Sequence, residues 1–239
     1  MNSVSPISLK KMVKSTVWIV IPAYNEAKNI GNVLDTLQGM LRSEGKRREF
    51  KVLVVDDGSR DATSDICKAR GVKVLRHALN LGKGSALRSG CDYAAQMGAD
   101  IIVVMDADGQ HDPTKIPTFL SALAGKDIVF GYRSYWGRMP FVLRFGNWFI
   151  NNSVAILFGA RIRDTQSGFR AFRSDVYAKI RWEATDYFME SEMIAHVGKH
   201  KLRFAQIPIP TIYTDKYKGT TVFDGIKIVG KMLVHRFAA

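Results

Sequence analysis

Ile101-Ile-Val-Val-Met105-Asp106-Ala-Asp108-Gly-Gln110-His111-Asp112 is the stretch on which the reading of this chain turns. Five apolar residues without polar alternation fit a strand buried on both faces of a parallel sheet. Carboxylates and an amide follow at once. If the backbone stays extended past the strand end, Asp106 and Asp108 point to one side with Cα atoms about 6.7 Å apart, two residues of rise. Two carboxylates and the Gln110 carbonyl converging there make a hard-oxygen site for Mg2+ or Mn2+ against a diphosphate. The competing reading of the same residues is a solvated acidic turn ahead of Pro113.

Outward from this strand, apolar runs alternate with helical patterns. Residues 17–21, 51–55 and 72–76 read as strands, and 27–42, 62–70 and 84–97 as helices. This rhythm predicts an α/β fold, a doubly wound and mostly parallel sheet flanked by helices. Ligands bind such sheets beyond the carboxyl ends of the strands. Four polar signatures fall there: Pro22-Ala-Tyr24-Asn25-Glu26, Asp56-Asp57-Gly58-Ser59, Asn80-Leu-Gly82-Lys83-Gly84 and the acidic segment. Further on, residues 127–131 read as a strand and 138–158 as partly helical. Asp164-Thr-Gln-Ser-Gly168-Phe169-Arg170 reads as a turn into a short strand. Pro208 and Pro210 assign the strand at 204–212 to a sheet edge.

Composition narrows the classes. The chain has 239 residues, 46% of them hydrophobic, enough for one large domain with its own core. Cys67 and Cys91 give neither a disulfide framework nor a zinc pattern, which points to a reducing cytosolic setting with both thiols buried. The apolar segment at 141–160 is interrupted by Arg144, Asn147, Asn151 and Asn152, so no span of about 20 apolar residues exists to cross a membrane. The first 14 residues read as a basic arm. The net charge of +13 favours polyanions, whether lipid, nucleic acid or phosphorylated small molecule. Acids at the strand ends would repel a nucleic-acid backbone, and no RNP or zinc-finger pattern is present.

Several motifs have two readings. An acid of Asp56-Asp57-Gly58-Ser59 can accept hydrogen bonds from a base or ribose, or can cap a helix. No G-x-G-x-x-G follows the first strand, which weighs against a dinucleotide. Lys83 can meet a phosphate, while Gly82 and Gly84 are better read as a tight βα turn. His111 is expected to face solvent beside better oxygen ligands.

Taken in order, these motifs resemble family 2 glycosyltransferases, and within them the dolichol-phosphate mannose synthase branch and its polyprenyl-phosphate hexosyltransferase relatives. The resemblance spans residues 17–217. It implies a GT-A fold with a Rossmann-like nucleotide-binding half, and a nucleoside-diphosphate sugar donor. Pro22, Ala23, Tyr24, Glu26, Asp56, Asp57, Lys83 and Asp106 would line the donor pocket. Asp106, Asp108 and Gln110 would hold Mg2+ or Mn2+. Arg133, Arg144 and Arg170 would bind the acceptor phosphate, and Asp108, Asp164 and Arg133 would carry the chemistry.

The expected reaction is inverting transfer of a hexose, mannose from GDP-mannose first, to dolichyl or polyprenyl phosphate. UDP-glucose or another UDP-sugar, or a saccharide hydroxyl acceptor with Asp164 as base, are the alternatives within the class. A non-catalytic basic module binding lipid or nucleic acid is the alternative outside it. Access to lipid would come from residues 221–239, where Phe223, Ile226, Val229, Leu233 and Phe237 recur at helical spacing opposite Lys227, Lys231 and His235. That pattern fits an interfacial helix or a core-packing one. The aromatic and Arg-rich residues 132–149 offer a second contact. The expected location is the cytoplasmic face of a membrane, held peripherally.

Overall fold

The computed structural model describes residues 15–45, 48–133 and 158–210, with isolated positions 152 and 156. The basic arm, Arg144, most of residues 132–149 and the helix expected at 221–239 lie outside the described residues. Among the described residues seven strands form one sheet: β1 (Thr16–Ala23), β2 (Glu49–Asp56), β3 (Lys73–Arg76), β4 (Ile101–Val104), β5 (Ile128–Arg133), β6 (Arg170–Arg173) and β7 (Phe204–Ile209). Their order is β3-β2-β1-β4-β6-β5-β7. Among the described residues six helices accompany it: α1 (Ile30–Glu44), α2 (Thr63–Ala69), α3 (Lys83–Gln96), α4 (Ile116–Ala122), α5 (Tyr177–Ile180) and α6 (Met189–Lys199).

The sheet is mixed. β3, β2, β1 and β4 run parallel, as the alternating pattern predicts, but β6 lies antiparallel between β4 and β5. β7 joins β5 in parallel at the edge, where the amide-less Pro208 and Pro210 are tolerated. The strand order reverses at β1, so the carboxyl ends of β1 and β4 flank the crevice such sheets use for ligands.

Each strand sends alternate residues to opposite faces. Val17, Ile19 and Ile21 pack with Ile30, Leu34 and Leu37 of α1 and with Phe119 of α4. Trp18 and Val20 face the other side, against Leu87, Cys91 and Ala94 of α3 and Trp182. Gly90 lets α3 sit hard against the sheet, because a Cβ there would lie 2.4 Å from a Val20 methyl. Both cysteines are buried and free; burial pushes the Cys67 thiol up to about 11, as an inert core residue requires. No helix among the described residues is long and apolar enough to cross a membrane.

Candidate active site

The first two loops are knitted together from their own polar groups. The Asn25 amide donates to Ser59 Oγ (2.9 Å), the Glu26 amide to Thr63 Oγ1 (2.9 Å), and Asn25 Oδ1 accepts from the Arg60 amide (2.8 Å). Asn25 adopts a positive φ of 53°, which its short polar side chain tolerates. Pro22 and Ala23 are buried in the end of β1, and Tyr24 is exposed at the rim.

Asp56 and Asp57 are committed within the protein. Asp56 is fully buried and accepts from the Ser59 amide and the Ser64 hydroxyl, with Arg76 Nε at 3.4 Å. Asp57 accepts from the Leu81 and Gly82 amides and pairs with His77 Nδ1 at 2.7 Å, while His77 Nε2 reaches Ser89 Oγ. Through these bonds the two acids, expected at the donor, hold the loop after β2 and the β3–α3 loop in register.

Gly82 and Gly84 serve a purpose beyond a tight turn. A Cβ on either would lie 2.3 Å from a backbone oxygen, that of Thr185 for Gly82 and of Ala184 for Gly84. The bare backbone admits the segment between α5 and α6. Thr185 O accepts from the Gly84 amide (2.8 Å) and more weakly from Ser85 (3.4 Å), and Trp182 Nε1 donates to Gly84 O (2.9 Å). The first amides of α3 are thus capped by a distant carbonyl.

Lys83, released at that helix start, is the electrostatic centre of the site. Its ammonium lies 2.8 Å from Asp106 Oδ1 and 3.0 Å from Glu190 Oε1, with the Tyr187 ring 5.3 Å away. Burial disfavours its charge, but the two carboxylates outweigh this and hold its pKa well above the ordinary lysine value. Burial likewise opposes charge on Asp106, yet Lys83 and His111 bring its pKa down to about 2. Asp108 moves the other way: burial, then the adjacent Asp106 charge, raises its pKa.

Asp106 and Asp108 are part-exposed on either side of buried Ala107, where the backbone bends beyond the end of β4 instead of staying extended. Asp108 Oδ1 accepts from the Gln110 amide (2.9 Å). Among the described residues no three His, Cys, Asp or Glu side chains gather around a metal-sized space. That is compatible with Mg2+, which takes one or two carboxylates and completes its shell with water and substrate phosphates. Asp106, Asp108 and Gln110 supply the hard oxygen donors such a cation takes, so the donor set fits.

His111 is a correction. It is 7% exposed rather than solvent-facing: Nδ1 accepts from the Asp106 amide (3.0 Å), and the ring stacks on Phe169 with centroids 5.1 Å apart. It braces the acidic loop from behind, and burial lowers its pKa.

The third wall is the turn at 164–170. Asp164, 1% exposed, accepts from Arg133 through both oxygens, Nε to Oδ2 at 2.8 Å and Nη2 to Oδ1 at 3.0 Å, and from the Arg133 amide. Gly168 sits so close to Asp106 that a Cβ would stand 2.8 Å from Oδ2. Arg170, expected at the acceptor phosphate, is instead 1% exposed and donates to the carbonyls of Ser167, Glu190 and Thr165, each at 3.0 Å. Burial lowers its pKa to about 10. The planar fork spends its donors joining the turn to α6.

Sequence reading missed Glu190, Glu192 and Ser167. Glu192 caps the Glu183 and Ala184 amides and so fixes the segment that docks on Gly84. Two acids in the first turn of an apolar helix look like ordinary dipole complementation. Nothing local marks Glu190 as the partner of Lys83.

The glycosyl transferase family 2 model matches residues 18–185. The chain belongs to that family. Among family 2 relatives, the UDP-N-acetylglucosamine–dolichyl-phosphate N-acetylglucosaminyltransferase of Methanococcus voltae is 32% identical, over 93% of this chain and 97% of its own. The undecaprenyl-phosphate mannosyltransferase of Micrococcus luteus is 29% identical over 92% of this chain and 91% of its own. The crystal structure of Mycobacterium tuberculosis glucosyl-3-phosphoglycerate synthase, bound to Mn2+, UDP and phosphoglyceric acid, superposes with a TM-score of 0.73. It covers 93% of this chain and 78% of that one at 20% identity, a likeness of fold. As a family 2 member the chain is a glycosyltransferase.

Proposed function

We propose that this glycosyltransferase moves a hexose from a nucleoside-diphosphate sugar to a polyprenyl or dolichyl phosphate, inverting the anomeric carbon in a single displacement. The observation that carries this reading is the state of Asp164, whose two oxygens are both engaged by Arg133. A hydroxyl acceptor needs a carboxylate available to take its proton. A lipid phosphate arrives ionised and needs a positioned cation instead. Arg133, its plane fixed by Asp164, is suited to that task. The two relatives, one a dolichyl-phosphate and the other an undecaprenyl-phosphate transferase, support the same acceptor class.

Asp106, Asp108 and Gln110 would hold Mg2+ or Mn2+, whose charge when bound would offset that of the leaving diphosphate. Lys83, now on Asp106, stands ready to meet a diphosphate oxygen. Pro22, Ala23, Tyr24 and Glu26 form the rim for the base, and Asp56 and Asp57 hold that rim in place. Asp164 acts as the positioning residue for Arg133 rather than as a base. Arg144 joins the acceptor site in this reading. Mannose from GDP-mannose is the leading donor, with UDP-sugars next. The enzyme works peripherally at the cytoplasmic face of a membrane, on one domain formed by the whole chain.

Radiolabel transfer from GDP-mannose, UDP-glucose and UDP-N-acetylglucosamine to a short polyprenyl phosphate, with Mg2+ or Mn2+, tests this. Metal-dependent lipid product from one donor is expected. Product on a saccharide hydroxyl, with none on lipid, would overturn the acceptor assignment.

A further inference from the structure

Two buried polar atoms beside Asp106 have no hydrogen-bond partner among the described residues: Glu190 Oε2 and Ser167 Oγ. The Glu190 side chain is 3% exposed and Ser167 is 3% exposed. Leaving such a carboxylate oxygen unpaired is costly, because desolvation is not returned by a bond. Native proteins keep few such groups, and each calls for an explanation.

Their placement supplies one. Glu190 Oε1 is on Lys83, and Lys83 is on Asp106, so a single ammonium separates Glu190 from the acidic loop. Ser167 precedes Gly168, whose backbone abuts the Asp106 carboxylate. Arg170 fastens the two together, donating from Nε to Ser167 O and from Nη1 to Glu190 O. The unpaired oxygens therefore come from two elements, the turn against Asp106 and the start of α6, whose backbones one buried guanidinium ties together. We infer that Glu190 Oε2 and Ser167 Oγ are the hydroxyl-recognising groups for the donor hexose, the carboxylate accepting from one ring hydroxyl and the serine pairing with another. The inference rests on the donor reading above. It adds which residues select the sugar.

A hexose suits these atoms chemically. It offers O–H donors to the carboxylate paired with Lys83, and a hydroxyl that accepts or donates as needed pairs with serine. Sites of this kind reject an analogue lacking the bonded hydroxyl, because the buried partner is left unpaired.

The test is calorimetric binding to the full chain with Mn2+ present. UDP and GDP are titrated first, then UDP-glucose, UDP-N-acetylglucosamine and GDP-mannose, into wild type, Glu190→Gln and Ser167→Ala. Ser167→Ala should bind the free nucleoside diphosphate within about twofold of wild type, while Glu190→Gln, which changes the charge beside Lys83, is judged by the ratio of its sugar-nucleotide to its nucleoside-diphosphate affinity. Both variants should bind the wild type's preferred sugar nucleotide about tenfold or more weakly. With monodeoxy forms of that donor, wild type should lose affinity at one ring position where Glu190→Gln loses nothing further, a coupling that general loosening would not produce. Equal weakening toward free nucleoside diphosphate and sugar nucleotide would overturn the inference, as would variants that bind every donor as wild type does. Wild type binding none of the sugar nucleotides would overturn the donor reading itself, and this inference with it.

Discussion

Gly84→Ala is the substitution on which local and tertiary preferences disagree most sharply. Gly84 is the second residue of α3 and its φ is not positive, so alanine fits the backbone and favours the helix by about 1 kcal/mol. Against that, the new Cβ would meet Ala184 O at 2.3 Å, Thr185 C at 2.8 Å and Asp186 O at 2.9 Å, all backbone atoms that cannot swing aside. Overpacking of this kind costs about 1–3 kcal/mol, and loss of the Gly84–Thr185 hydrogen bond adds about 1 kcal/mol. The net expectation is destabilisation of about 1–3 kcal/mol. Displacing residues 184–186 also moves Tyr187 and Glu190 away from Lys83, so turnover should fall further than stability suggests. Urea denaturation with far-UV circular dichroism gives the first quantity, and steady-state transfer gives the second. Stability at or above wild type with unchanged turnover would mean that helix propensity outweighs the docked segment, and would refute the reasoning.

Asp108→Asn should raise Tm in metal-free buffer at pH 7 while abolishing Mn2+-induced stabilisation and turnover. The sign follows from the raised pKa of Asp108: the fold disfavours its charge, so wild-type stability grows as pH falls through that pKa. A lower Tm, or retained Mn2+ stabilisation, counts against this. Arg170→Met should cost about 3 kcal/mol or more by leaving three carbonyls without their donor, and Arg170→Lys should recover only part of it, since one ammonium cannot span the fork; equilibrium unfolding measures both, and full recovery by lysine would contradict the three-carbonyl role. Asp164→Asn should reduce turnover more than tenfold with nucleoside-diphosphate affinity nearly unchanged, because it loosens Arg133, about 1.4 kcal/mol of orientation per factor of ten. Loss of nucleotide binding in parallel would place Asp164 elsewhere in the mechanism. Cys67 and Cys91 should react with a thiol reagent at pH 8 only on unfolding, since both are buried with raised pKa values; rapid native labelling would show otherwise.

The sequence alone determined the strands and what stands at their ends. The apolar runs before Asp56 and Asp106 are local signals of buried parallel strands, and chain order then carries the loops to one edge of the sheet. The sequence also places Asp106 and Asp108 just past β4 with Ala107 between them, but the bend at residues 107–109 that orients them is not encoded in the strand repeat. Only the tertiary structure decided the rest. The antiparallel insertion of β6 depends on which strand edge is open, not on any property of Arg170–Arg173 itself. His111, Arg170 and Glu190 are polar residues that look solvent-bound or merely helix-favouring in sequence. Each is buried because a partner far along the chain makes burial affordable: Phe169 for His111, three carbonyls for Arg170, and Lys83 for Glu190. A buried polar group is settled by its partners, and partners separated along the chain meet only once the sheet has formed.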